Sequence, residues 1–135
     1  MIPRRSTQPS PSGRRSLAPA AIRAFTSLAA TWNLSTHQQA VLLGLEPTQS
    51  STLFKWKSDP ERANLSRDTI ERISYLLGIY KDLHILLPDD AAADTWIHQA
   101  NAAPLFGGRS ALARLLSGNV SDLFVVHAYL DAERG

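Results

Sequence analysis

The chain has 135 residues, 44% of them hydrophobic and 19% charged, with a formal net charge of +2. That length suits one compact unit or two very small ones sharing a core. The absence of cysteine excludes disulfides and thiolate metal sites, and no run approaches the ~18 apolar residues needed to cross a bilayer.

Residues 1–18 are rich in Pro, Ser and Arg and show no apolar period, which predicts a disordered basic tail. The opening Met1-Ile2-Pro3-Arg4-Arg5 leads into Ser, Thr and Pro rather than an apolar segment. No secretory signal is therefore expected, and the expected compartment is the cytoplasm. From Pro19 on, Ile22, Phe25, Leu28, Ala29 and Trp32 recur at helical spacing, predicting a helix over 20–31. Asn33-Leu34-Ser35 breaks it, and Ser35 is placed to cap a second helix from Thr36 to Leu43, closed by Gly44. Residues 45–51 read as a turn. Ser50 or Ser51 then caps a short third helix ending near Trp56 or Lys57, stopped by Ser58-Asp59-Pro60. Ser66 caps a fourth helix, whose apolar stripe runs from Ile70 through Ile73, Leu76, Leu77, Tyr80 and Leu83 to Leu87. Asp89 or Asp90 caps a fifth helix over about 91–99. After a linker, Asn101 to Pro104, and a turn, Leu105 to Gly108, come a sixth helix over 110–116 and a last one over about 122–132, capped by Ser121. Nothing reads as a strand. The fold class is all-α.

Charge is unevenly placed along these elements. Residues 1–16 carry Arg4, Arg5, Arg14 and Arg15 and no acid, whereas residues 82–135 hold three basic and seven acidic side chains. A basic front and an acidic back fit a molecule that meets nucleic acid at one end and another partner at the other. A solvated tail on a soluble domain has the same pattern.

The first three helices, with a turn between the second and third, match a helix-turn-helix. Ala40 lets the third helix cross closely over the second, and Gly44 makes the turn. Such a third helix enters the major groove with its N-terminal end first. The DNA-binding candidates are Gln49, Ser50, Ser51, Thr52, Lys55 and Lys57. The lysines suit phosphates, while Gln49, Ser51 and Thr52 suit base edges. Leu53, Phe54 and Trp56 are the apolar anchors. The stretch from Leu45 to Ser51 is about three residues longer than the compact motif uses. A three-helix packing unit with no DNA role is the competing reading of the same spacing.

From about residue 20 the chain resembles the Xre/MbcA/ParS antitoxin family. The resemblance rests on Phe54-Lys55-Trp56-Lys57, on the run from Leu65 to Tyr80, on Asn101-Ala102-Ala103-Pro104, on Leu105 to Leu112 and on Leu115 to Asn119. It implies an Xre/Cro-like helix-turn-helix unit followed by a small helical toxin-binding domain. The expected organisation is a tail over 1–18, a DNA-binding domain over 19–82 and a toxin-binding domain over 83–135. It further implies a partner toxin of the RES-domain kind that consumes NAD, a C-terminal end reaching into that toxin's pocket, and repression of the chain's own operon. The toxin-binding candidates are then Asn101, Gly107, Gly108, Arg109, Ser110, Leu112, Asp131, Glu133, Arg134 and Gly135. By themselves, Gly107 to Ser110 are a turn with an N-cap, and the last residues are a frayed helix end.

Enzymatic chemistry is not expected. No phosphate-binding glycine loop is present, the serines lack a recognisable base partner, and Asp89-Asp90 is explained by capping. His37, His84, His98 and His127 show no pairing at ligand spacing, so neither a metal nor a cofactor is expected. The surplus of apolar positions on the fourth and last helices predicts a homodimer that presents two recognition helices to operator DNA. The alternative function is a stand-alone helix-turn-helix regulator whose C-terminal helices only dimerise or sense a ligand.

Overall fold

Ser10 opens the first helix. Its hydroxyl accepts from Gly13 N at 3.1 Å, and Pro11 occupies the first helical position, where no amide is needed. The computed structural model describes residues 10–135, and α1 runs Pro11–Thr31. The expected tail over 1–18 thus gives way to helix at Pro11, with Ala18 already inside the core. The part of that expectation covering residues 1–9 lies outside the described residues. Pro19 sits inside α1 rather than at its start. Ala18, Ile22, Phe25 and Trp32 hold the helix by burial on both sides of the proline.

The end of α1 is a Schellman turn built on an asparagine. Asn33 takes φ +53°, Leu34 N bonds Ala29 O at 2.9 Å and Asn33 N bonds Ala30 O at 3.1 Å. Ser35 then starts α2, Thr36–Leu42, with the reciprocal capping box that Gln38 completes. A second Schellman turn ends α2, with Gly44 at φ +77° and Leu45 N on Ala40 O at 2.9 Å. The residues that looked surplus between α2 and α3 form a 3-10 turn, Pro47–Gln49. α3 spans Ser50–Ser58 and begins on that turn, with no serine acting as its side-chain cap.

Ser66 caps α4, Arg67–Leu86, by accepting from Thr69 N at 3.1 Å. Asp89 caps α5, Asp90–Thr95, after which the chain tightens into a 3-10 turn, Trp96–His98, instead of continuing as one helix to 99. Ser110 caps α6, Ala111–Leu115. The last helix, α7, is Val120–Glu133 and starts after Asn119, so Ser121 lies inside it rather than at its cap. Among the described residues the extended pairing is a single bridge, Ala100 with Ser110.

One contiguous core joins these helices, from Ala18 on α1 to Leu130 on α7. α4 lies at its centre, packed on α1 and, most extensively, on α7. Ile73, Leu76, Ile79 and Leu83 are spent within the chain against those neighbours, as are Leu123 and Val126. The stripe that suggested a dimer is therefore largely filled from inside. Of the residues that suggested it Phe124 remains exposed, and Ile85 on α4, outside the stripe, is exposed as well.

Candidate functional site

Two surfaces carry the expected binding residues. The first is built on α2 and α3. Buried Gln39 organises it: its amide nitrogen donates to Leu34 O at 3.0 Å, and its amide oxygen accepts from Lys57 Nζ at 2.8 Å. Lys57 is thereby drawn back onto α2 and away from the outer face. Gln49 is also occupied locally, because its side-chain oxygen accepts from Glu46 N at 2.8 Å. Thr52 is half-buried, while Ser50, Ser51 and Lys55 stand on the solvent side. Of the three expected anchors, Leu53 is buried and Trp56 is half-buried, but Phe54 is 73% exposed. Phe54 therefore faces outward with the serines and does not anchor the helix.

The turn before α3 is fixed from α4. Gly44 has the positive φ, and a Cβ there would fall 2.7 Å from Arg72 Nε and 2.8 Å from Asp68 Oδ2. Thr69 Oγ1 donates to Leu43 O at 3.1 Å. Arg72, itself buried, donates to Asp68 at 2.8 Å and to Gly118 O at 3.0 Å. One arginine thus ties the helix-turn-helix to the loop before α7.

The second surface lies at the C-terminal half. Gly107 and Gly108 adopt φ +57° and +84°, with open space where a Cβ would sit. They close a tight loop in which Asn101 N bonds Arg109 O and Gly108 N bonds Asn101 O, both at 3.0 Å. The Asn101 carboxamide oxygen accepts from Ala103 N at 2.9 Å. Arg109 projects from this loop into solvent. Ser110 serves as the α6 cap, accepting from Ala113 N at 3.1 Å, and Leu112 is a core residue. Arg114 clamps the loop to α7 through Leu105 O at 2.7 Å and Asp122 Oδ1 at 3.0 Å. The Asp122 carboxyl is held below its ordinary value by the Ser117 hydroxyl first and by Arg114 as well, against an opposing effect of burial.

At the end of α7 the fold brings together charges that sequence spacing did not pair. Asp82 of α4 is 1% exposed. Arg134 donates to its Oδ1 at 2.8 Å, and His127 Nε2 lies 3.6 Å from its Oδ2 and 3.5 Å from Asp131 Oδ1. The His127 ring occupies the space a side chain at Gly78 would take, since a Cβ there would collide with its Nε2. Burial, aided by a hydrogen bond to Asp131, pushes the Asp82 carboxyl up, and the same hydrogen bond holds Asp131 down. Glu133 and Gly135 are exposed beside this cluster. The available signal was the spacing 127, 131, 134 along one face of α7; the partner, Asp82, comes from a helix more than forty residues earlier.

Both surfaces have counterparts among known proteins. The chain matches the Antitoxin Xre-like helix-turn-helix domain over residues 14–78 and the Antitoxin Xre/MbcA/ParS C-terminal toxin-binding domain over residues 82–135. It is also 44% identical over 126 residues to the uncharacterized protein y4oB of Sinorhizobium fredii (strain NBRC 101917 / NGR234), covering 93% of each chain. The chain belongs to the Xre/MbcA/ParS antitoxin family. As such an antitoxin, it pairs a DNA-binding helix-turn-helix half with a toxin-binding half. Among the described residues no helix is long and apolar enough to cross a membrane.

Proposed function

We propose that this antitoxin neutralises a RES-domain toxin that consumes NAD, and that it represses its own operon as a homodimer through the α2–α3 face. The observation that carries the toxin half of this reading is the match of residues 82–135 to a toxin-binding domain, in a segment with three basic and seven acidic side chains. A pocket that handles NAD must hold a pyrophosphate, so its lining is cationic, and an acidic partner is attracted to it. Arg109 and the Gly107-Gly108 loop, with Asp131, Glu133, Arg134 and Gly135 at the far end, form the contact set. Asn101, Ser110 and Leu112 support that set from behind, by loop hydrogen bonding, capping and burial. On the DNA half, Ser50, Ser51 and Lys55 face outward and Thr52 flanks them, whereas Gln49 and Lys57 brace the surface from inside the chain.

The test is co-expression with the toxin encoded beside the antitoxin gene, scoring growth and cellular NAD. Arg109→Glu and a deletion of residues 131–135 are expected to abolish protection while operator binding persists. Full protection by the tail-deleted chain would place inhibition on a different surface.

A further inference from the structure

The solvent face of α3 consists of Ser50, Ser51, Phe54, Lys55 and Ser58, spaced as one helical stripe. Phe54 lies in the middle of it, 73% exposed, and lines a groove of about 370 Å³ with Thr36, Leu53, Lys57 and Ser58. Scattered apolar residues on a surface need no explanation, but this ring stands at the centre of a face whose other members are polar. The stripe carries Lys55 and no acid, so its electrostatic complement is an anion, of which the DNA phosphate backbone is one. A helix with its side chains, about 10–12 Å across, fits the B-DNA major groove, about 12 Å wide. The apolar feature of that groove is the C5-methyl group of thymine.

Among the fully exposed members of this stripe, sequence discrimination falls to the ring, with half-buried Thr52 at its side. Serine hydroxyls both donate and accept, so Ser50 and Ser51 suit any base edge. Lys55 is a point charge suited to phosphate. Gln49 and Lys57, which have the reach for base edges, are engaged with Glu46 and Gln39. We propose that Phe54 is the specificity-determining residue of this antitoxin, covering a thymine methyl in the major groove. This rests on the reading above that the α3 face binds DNA.

The experiment uses the full chain and a duplex selected from a random-sequence DNA library. Each thymine of that duplex is replaced in turn by deoxyuridine, which lacks only the methyl, and affinity is read by fluorescence anisotropy. Loss of one buried methyl corresponds to about a fourfold weakening, expected at one thymine or a symmetry-related pair. Phe54→Ala is expected to weaken binding to the parent duplex about tenfold or more and to abolish the deoxyuridine effect. Its thermal melt is expected to match that of the parent chain, because the ring is exposed. A Phe54→Ala chain that binds equally well, or that stays sensitive to deoxyuridine at the same positions, overturns the inference while leaving DNA binding intact. A Phe54→Ala chain whose mass in light scattering drops below the parent's assigns the ring to a contact between chains and also overturns it. If no duplex is enriched, the DNA-binding reading and this inference fail together.

Discussion

On α3, Ser50, Ser51, Phe54 and Lys55 stand in solvent on a helix held from behind by buried Leu53 and by the Lys57–Gln39 bond. At the end of α7 the charged residues already have partners: Arg134 holds buried Asp82, and His127 lies against Asp82 and Asp131. The first surface offers side chains on a braced scaffold, and little has to be undone before a ligand is met. The second is already paired at Arg134, though Asp82 Oδ2 is buried without a hydrogen-bond partner, and a toxin that engages Arg134 must replace an interaction the chain already makes. Such an exchange lowers net affinity but rejects partners lacking the right charges, because a displaced Asp82 would be left buried without its guanidinium.

The glycines test the contrast most strongly. Gly44→Ala places a Cβ against the Arg72–Asp68 pair in a left-handed backbone, and a loss of about 3 kcal/mol is expected by urea denaturation. Gly107→Ala meets only the backbone penalty, since the space around it is open, and about 1 kcal/mol is expected. Equal losses would erase the distinction between a braced turn and a free loop.

Arg134→Met comes next in size. The Arg134 side chain is 37% exposed, so solvent screening reduces the effect to roughly 1–2 kcal/mol, below that of breaking a fully buried pair. If chemical denaturation finds no loss, the α7 end is not held by Asp82, and the proposed exchange has nothing to replace.

Acid titration separates two carboxylates of opposite sign. The lowered Asp122 stabilises the fold above the unfolded carboxylate range, about pH 4, and loses that contribution as pH falls through its folded value. Asp82 is raised, so its contribution is full below that range and is lost as pH climbs through its folded value. Asp122→Asn is therefore expected to flatten the acid limb of melting temperature against pH below about pH 4. Asp82→Asn is expected to leave that limb and gain relative stability toward neutral pH. A common response of both variants would break this pairing of signs.

The smallest expected effect separates the lysines. Lys55→Ala lowers the salt slope of operator binding by about one phosphate contact. Lys57→Ala leaves the slope unchanged and slightly destabilises α2, because that lysine is bound to Gln39. The reverse result in a salt titration would place Lys57 on the DNA.

Local chemistry was legible at most of the helix caps, though not at α3 or α7, where the expected serines do not cap. Ser35, Ser66, Asp89 and Ser110 cap helices in the sequence and do so in the fold, and Gly44 closes α2. Features set by more distant parts of the chain were not legible. Residues 11–18 carry no apolar period of their own; Ser10, Pro11 and the burial of Ala18 make them helical. The surplus length before α3 disappears into a 3-10 turn that depends on Glu46 and Gln49 bonding each other. Phe54 looked like an anchor because it sits between Leu53 and Trp56, yet helical rotation turns it outward. Arg134 read by itself as part of a frayed helix end and became a toxin-binding candidate only through the family resemblance, while its partner in the fold lies on α4.

α4 acts mechanically as a lever. Its 20 residues form a rod about 30 Å long. Thr69 and Arg72 grip the turn before α3, and Asp82 grips the last turn of α7. Those grips are about 15–20 Å apart along a single helix axis. A load applied at the α7 end is therefore carried to α3 as a tilt of the whole rod, with no hinge between them to absorb it. The bearing of any cargo relative to the recognition helix is set by the length of this helix, and inserting one residue in its middle would swing the cargo by about 100° around the rod.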